Sequence, residues 1–188
     1  MRLPFVTSLT FITALTVLTA CDAQTTGQED HKDSPVKWMS FEEAVSKSQA
    51  SPKKMFIDVY TSWCGWCKKM DASTFSDPDV AKYINENFYP VKLNAETRDT
   101  IRFMDKQFKY IPEYKTNEIA LSLLGGKMGY PSYVFLDESF ALLGGAVQGY
   151  QEKNDMMAYL TFFAGGLHGK QDFETYRQQY LKESGKGQ

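Results

Sequence analysis

Cysteine and histidine are scarce in this chain: three of the first and two of the second among 188 residues. A structural zinc site takes four ligands, usually two cysteine pairs or one pair plus histidines. Cys64 and Cys67 make one pair, but Cys21, His31 and His168 stand at no ligand spacing from it. Zinc is therefore an alternative that the spacing speaks against, and no cofactor is called for. An excess of positive charge is missing as well. Lys and Arg number 21 against 23 Asp and Glu, a formal net charge of −2, and without a basic patch nothing points to nucleic acid. No internal repeat is visible. Hydrophobic residues at 43% and aromatics at 14% do suffice for a real core. The length allows one ordinary domain plus accessory segments.

What is present is organised around Trp63-Cys64-Gly65-Trp66-Cys67-Lys68-Lys69. It directly follows Met55-Phe56-Ile57-Asp58-Val59-Tyr60, a short apolar run, partly β-branched and aromatic, that reads as a buried strand. Lys68, Lys69 and Met70 are good helix formers. Cys64 is thus expected at the start of a helix that follows a strand. Positions i and i+3 meet across one helical turn, close enough for a Cys64–Cys67 disulfide. The positive end of the helix favours a thiolate on Cys64. Cys67, one turn deeper, is then the resolving thiol. A merely structural disulfide is the bland alternative, although so short a loop removes little chain entropy.

Residues 1–20 read as a signal segment: Arg2 is a thin positive start, and Phe5 to Leu18 is apolar and Thr-rich. The run is too short and poorly flanked for a lasting membrane helix. Leu18-Thr19-Ala20-Cys21 resembles a bacterial lipobox, in which Cys21 is acylated and becomes the first mature residue. An ordinary secretory cut near Ala20 or Ala23 is the alternative. Either route exports the protein to an oxidising compartment, where disulfides persist. The choice between inner and outer membrane stays open. Residues 21–37 are polar and lack a hydrophobic period, so they read as a flexible tether that includes His31.

The domain proper is expected over 38–164. Ser40-Phe41-Glu42-Glu43 fits a capping box and predicts a helix from Phe41 to Ala50. Asp77-Pro78 predicts another, to Asn87. Phe88 to Leu93 is the next expected strand. From Thr100 to Tyr110 alternation on both sides of Met104-Asp105-Lys106-Gln107 predicts a hairpin, with a helix as alternative. Asn117 to Leu124 is a helix stopped by Gly125-Gly126. Ser132 to Leu136 is a third strand. Phe140 to Val147 is expected as a fourth, bulged at Gly144-Gly145. Glu152 to Phe163 and Asp172 to Lys182 are helices. The second carries Phe173, Tyr176 and Tyr180 on one face and falls in an extension over 165–188.

The order β-α-β-α-β-β-α around the cysteine pair resembles the thioredoxin family. Trp63-Cys64-Gly65-Trp66-Cys67-Lys68 is similar to its Trp-Cys-Gly-x-Cys-Lys signature, with Trp66 where proline is usual. Asp58 stands where thioredoxins place a buried acid, and Val91-Lys92-Leu93-Asn94 resembles the strand whose lysine lies near that acid. Tyr130-Pro131 stands at the family's cis-proline loop. Thr74 to Val80 is similar to a segment in the C-terminal periplasmic domain of DsbD-type proteins. The resemblance implies an α/β fold with a central mixed sheet flanked by helices. It leaves two additions unexplained: a hairpin-like insertion over 95–129, before the cis-Pro loop, and the C-terminal helical extension.

The resemblance further implies thiol–disulfide exchange with Cys64 as nucleophile and Cys67 as resolving thiol. Asp58 would take the proton of Cys67, its affinity raised by burial and opposed by Lys92. A solvated strand-end acid and a surface lysine are the respective alternatives. Trp63, Gly65, Trp66, Tyr130 and Pro131 are the expected substrate contacts. The uncharged middle pair Gly65-Trp66 favours a potential nearer thioredoxin, about −270 mV, than DsbA, about −120 mV. Reduction or isomerisation of disulfides in envelope proteins is the expected role, fed by a membrane electron donor of DsbD type. A disulfide-forming oxidase, or a non-catalytic chaperone-like lipoprotein, is the alternative.

Overall fold

The computed structural model describes Met1 and residues 34–185. The expected signal segment after Met1, with Cys21 and His31, lies outside the described residues. Packing begins at Val36, which is 1% exposed. The N–H of Lys37 donates to Asn85 Oδ1, and Asn85 Nδ2 donates to the Pro35 carbonyl, each at 2.9 Å.

Helix α1 (Phe41–Ala50) opens at Ser40, whose hydroxyl oxygen accepts the Glu43 N–H at 3.2 Å. It buries Phe41, Ala44 and Val45, one face of a 3.6-residue period. Strand β1 (Met55–Tyr60) is buried along its whole length. Helix α2 (Gly65–Ala72) follows it, and a 3₁₀ turn at Thr74–Ser76 leads into α3 (Pro78–Asn87). There the Asp77 carboxylate accepts the N–H groups of Asp79 and Val80, while Pro78 occupies a first-turn position that needs no donor. Strand β2 (Tyr89–Asn94) then returns parallel to β1, with Asp58 opposite Lys92.

The insertion holds two hairpins. Strands β3 (Ile101–Phe103) and β4 (Lys106–Phe108) pair antiparallel around Met104 and Asp105. Both turn residues take positive φ, 47° and 61°, as a two-residue type I′ turn demands. The hairpin therefore forms without the usual Asn or Gly. The second hairpin, β5 (Tyr110–Ile111) with β6 (Thr116–Asn117), carried no sequence signal. Helix α4 (Glu118–Leu123) starts at Asn117 and stops before Gly125 and Gly126, both at positive φ.

Strand β7 (Ser132–Leu136) pairs antiparallel with β1. The expected fourth strand over 140–147 is mostly absent. Strand β8 covers only Val147–Gln148, preceded by a single bridge between Leu136 and Leu142. Asp137 Oδ1 accepts the N–H groups of Ser139 and Ala141, curling the chain, and Phe140 sits at φ 67°. Gly144 at φ 135° then carries the chain off the sheet edge before it rejoins at Val147. Helices α5 (Lys153–Ala164) and α6 (Phe173–Ser184) complete the chain.

The main sheet runs β2-β1-β7-β8. Alternation along β1 sends Met55, Ile57 and Val59 into a core with α1 and α4, and Phe56 into a second core with α2, α3 and α5. Asp58 and Tyr60 share the Phe56 face. On the far side of α5, Phe173 stacks on Tyr159 at 4.0 Å and meets Phe162 at 5.2 Å. The aromatic stripe of α6 is thus a packing surface.

Candidate redox site

Cys64 is the N-cap of α2, and its Sγ accepts the backbone N–H of Cys67 at 3.0 Å. The two cysteines form a disulfide with Cα atoms 5.3 Å apart. Cys64 is 5% exposed and Cys67 2%, so the pair sits just under the surface. A thiolate formed at Cys64 would meet an N–H already aimed at it and the positive end of α2 behind it.

Two tryptophans flank this point. Trp63 is 66% exposed and Trp66 57%. The Trp63 Nε1–H donates to Glu96 Oε1 at 3.0 Å, and its ring meets Tyr130 edge-on at 5.9 Å. Trp66 leans on Tyr150 at 5.6 Å. Lys69 Nζ lies 4.9 Å from the Trp66 ring centre and 4.6 Å from that of Tyr150, so one cation holds both rings. Gly65, between the cysteines, has open space where a side chain would stand. The Tyr130–Pro131 bond is cis, and Tyr130 packs on the small cluster of Tyr60, Cys64 and Cys67. The Pro131 carbonyl accepts the N–H of Gly149 at 2.8 Å, which fixes the loop to the chain after β8.

A buried ion pair joins β1 to β2. Lys92 Nζ donates to Asp58 Oδ2 at 2.7 Å, with both side chains 1% exposed. Lys92 also bonds Asp71, whose side chain is 35% exposed. Three rings, Trp38, Tyr60 and Phe75, surround the ammonium at 4.9, 5.2 and 5.5 Å. Burial alone would lower the affinity of Lys92 for its proton. The two carboxylates outweigh burial and hold its pKa above the ordinary 10.5.

The structure thus gathers Cys64, Cys67, Trp63, Gly65, Trp66, Tyr130 and Pro131 around the disulfide, and pairs Asp58 with Lys92 inside the sheet. It adds residues that the sequence reading missed. Asp71 is one: it follows Cys67 by four positions, a spacing that puts both on one helix face. Glu96 and Tyr150 come from distant segments and gave no local signal. Tyr133 is fully buried opposite Asp58. Among the described residues no cluster of His, Cys, Asp or Glu gathers that could hold a metal ion.

This sandwich, with a disulfide-bonded cysteine pair at the first turn of α2, belongs to the class of thioredoxin-fold proteins. Within that class, residues 22–179 match the family Thioredox_DsbH, described as a protein of unknown function, DUF255, and the chain belongs to it. The chain is 32% identical over 107 residues to an uncharacterized protein of Caenorhabditis elegans, an overlap of 56% of this chain and 13% of that one. It is 32% identical over 95 residues to the thiol:disulfide interchange protein DsbD of Photorhabdus laumondii, covering 43% of this chain and 16% of that protein. The chain therefore spans only a small part of these curated relatives. A solved thioredoxin-fold protein from Helicobacter pylori superposes with a TM-score of 0.56 at 16% identity, over 73% of this chain and 87% of that one.

Proposed function

We propose that the protein is an exported, lipid-anchored oxidoreductase that reduces or isomerises disulfides in envelope proteins. The observation that carries the chemistry is Cys64 as N-cap of α2, with the Cys67 N–H 3.0 Å from its sulfur. In the reduced protein the Cys64 thiolate attacks a substrate disulfide, and the leaving sulfur departs with its electron pair. Cys67 then loses its proton to Asp58 and attacks the Cys64 sulfur. The Cys64–Cys67 bond forms, the bond from Cys64 to substrate breaks, and the substrate thiolate takes a proton from water. The exposed indoles of Trp63 and Trp66 and the edge of the Pro131 loop receive the substrate.

Each cycle of reduction leaves the pair oxidised, so a membrane donor of DsbD type must return two electrons. The uncharged Gly65-Trp66 middle pair supports the reducing direction. Export and the anchor rest on the apolar N-terminal run and on Leu18-Thr19-Ala20-Cys21. Residues 21–37 then serve as tether, 38–164 as catalytic domain and 165–188 as extension. The anchor is checked by detergent partition, where Cys21→Ala should move the protein from the detergent to the aqueous phase.

The test of the chemistry is insulin reduction by the wild type and by Cys64→Ser, with dithiothreitol as donor. Turnover should vanish in the variant. Cys67→Ala, expressed in a bacterial envelope, should accumulate mixed disulfides with its clients. Insulin reduction undiminished in Cys64→Ser would sink the proposal.

A further inference from the structure

The insertion over 95–129 contributes no atom to the exchange chemistry, yet its second hairpin ends against the site. Thr116, 1% exposed, and the fully buried Asn117 form strand β6 of that hairpin. Both bond one backbone atom. The Ala95 carbonyl accepts the Thr116 hydroxyl proton at 2.9 Å and the Asn117 N–H at 2.7 Å. Ala95 in turn donates its N–H to the carbonyl of Tyr60, at the end of β1, at 2.8 Å. The next residue is Glu96. Its N–H goes to Asn94 Oδ1 at 2.9 Å, and its Oε1 accepts the Trp63 indole N–H at 3.0 Å. Glu96 can fix an exposed indole only as firmly as its own backbone is fixed.

The Thr116 hydroxyl has a second partner, the Tyr130 phenol. Its single proton is committed to Ala95, so here its oxygen accepts and Tyr130 donates. Burial, with the Glu96 carboxylate nearby, holds the phenol above its ordinary pKa, so that proton is there to give. Tyr130 meets Trp63 edge-on at 5.9 Å and packs on Cys64 and Cys67. The contacts close a ring: Thr116 to Ala95, along the chain to Glu96, then to Trp63, to Tyr130 and back to Thr116. Valine would fill the buried space of Thr116 equally well, but it would break the ring at both hydroxyl bonds.

Resting on the oxidoreductase reading, we propose that Thr116 is a positioning residue for substrate docking, which braces Trp63 and Tyr130 as one wall beside Cys64. It acts through Ala95 on one side and through the Tyr130 phenol on the other. The hydroxyl is buried and touches no substrate itself. The insertion thus orders in advance two aromatic side chains that a client polypeptide would otherwise have to fix on binding.

The test is steady-state reduction of insulin by the full chain, with dithiothreitol as donor, beside a nitrogen-15 NMR spectrum of the indole N–H groups. Trp63→Phe assigns the Trp63 signal. In Thr116→Val the KM for insulin should rise roughly three- to tenfold, as for one lost hydrogen bond, with kcat changed less than about twofold. The Trp63 indole signal should move. Thr116→Ser keeps the hydroxyl and should restore both readings. Tyr130→Phe removes the phenol bond from its other end and should raise KM by a similar factor. Combined with Thr116→Val it should add little, because one bond is then removed twice. Tyr130→Phe decides the matter if Thr116→Val folds poorly. An unchanged KM in either variant, a rise that serine does not reverse, a loss confined to kcat, or an unmoved Trp63 signal overturns the proposal. A wild type that reduces no insulin rejects the oxidoreductase reading instead, while the Trp63 signal still reports whether Thr116 holds the wall.

Discussion

An ammonium offers three donors, and Lys92 gives two of them to carboxylates in an almost sealed place. Its folded pKa is raised, so its charge contributes stability in full below 10.5. That contribution is lost as pH rises through the higher folded value. Replacing Lys92 by Met leaves Asp58 buried without its cation, which costs about 3 kcal/mol, the low end for a buried pair because Asp71 is partly exposed. Urea unfolding should show that difference shrinking above about pH 10, where Lys92 loses its proton, and also toward acid, where the uncompensated Asp58 of the variant takes one. A gap that stays the same at every pH would mean that the charge is not its source. Asp58 gives a kinetic counterpart. Asp58→Asn keeps the size of the side chain but not its basicity. Stopped-flow measurement should find resolution slowed about tenfold and first attack much less. Equal slowing of both steps would leave Asp58 a structural acid.

Asn117 joins the second hairpin, the start of α4 and the loop after β2. Its Oδ1 accepts the Ile119 N–H at 3.1 Å, and its Nδ2 donates to the carbonyls of Thr97 and Asp99 at 3.2 and 3.0 Å. The residue is fully buried. Asn117→Ala removes a cap and strands two carbonyls, a loss of about 2–3 kcal/mol in denaturant unfolding. Less than about 0.5 kcal/mol would show that water replaces the amide. The same residue marks what could be read from sequence. The helices that begin at Ser40, Asp77, Asn117 and Asp172 were legible, because a cap is a contact with residues two or three positions on. The β5–β6 pair was not, since Thr116 and Asn117 are held by Ala95, twenty-odd positions away. The shortened β8 was missed for a related reason. Two glycines read as a bulge, but only the structure shows the backbone leaving the sheet. At the site, the Cys64–Cys67 pair was legible from spacing, and Asp58, Lys92 and Pro131 stood out through the resemblance, whereas Tyr133 looked like one more apolar strand residue.

At the scale of the whole molecule the extension acts as a cover. Phe173 and Tyr176 lie over Phe162, and the Tyr176 hydroxyl donates to Thr161 Oγ1 at 2.9 Å. Arg177 and Asp155 tie the same two helices at 2.7 Å. Deleting residues 165–188 should cost about 3 kcal/mol by uncovering aromatic surface and should raise binding of an apolar dye. Insulin reduction per folded molecule should hold, since these contacts fall on α5, away from the cysteines. A drop in that rate while the shortened chain is fully folded would make the extension part of the site. The chain's three tryptophans have one further consequence. Trp63 and Trp66 adjoin the cysteines, and Trp38 lies over the ammonium of Lys92. A disulfide quenches indole emission at short range, so opening it should brighten the untagged chain. The protein carries its own optical gauge of oxidation state, and a fluorimeter can follow each turnover without a label.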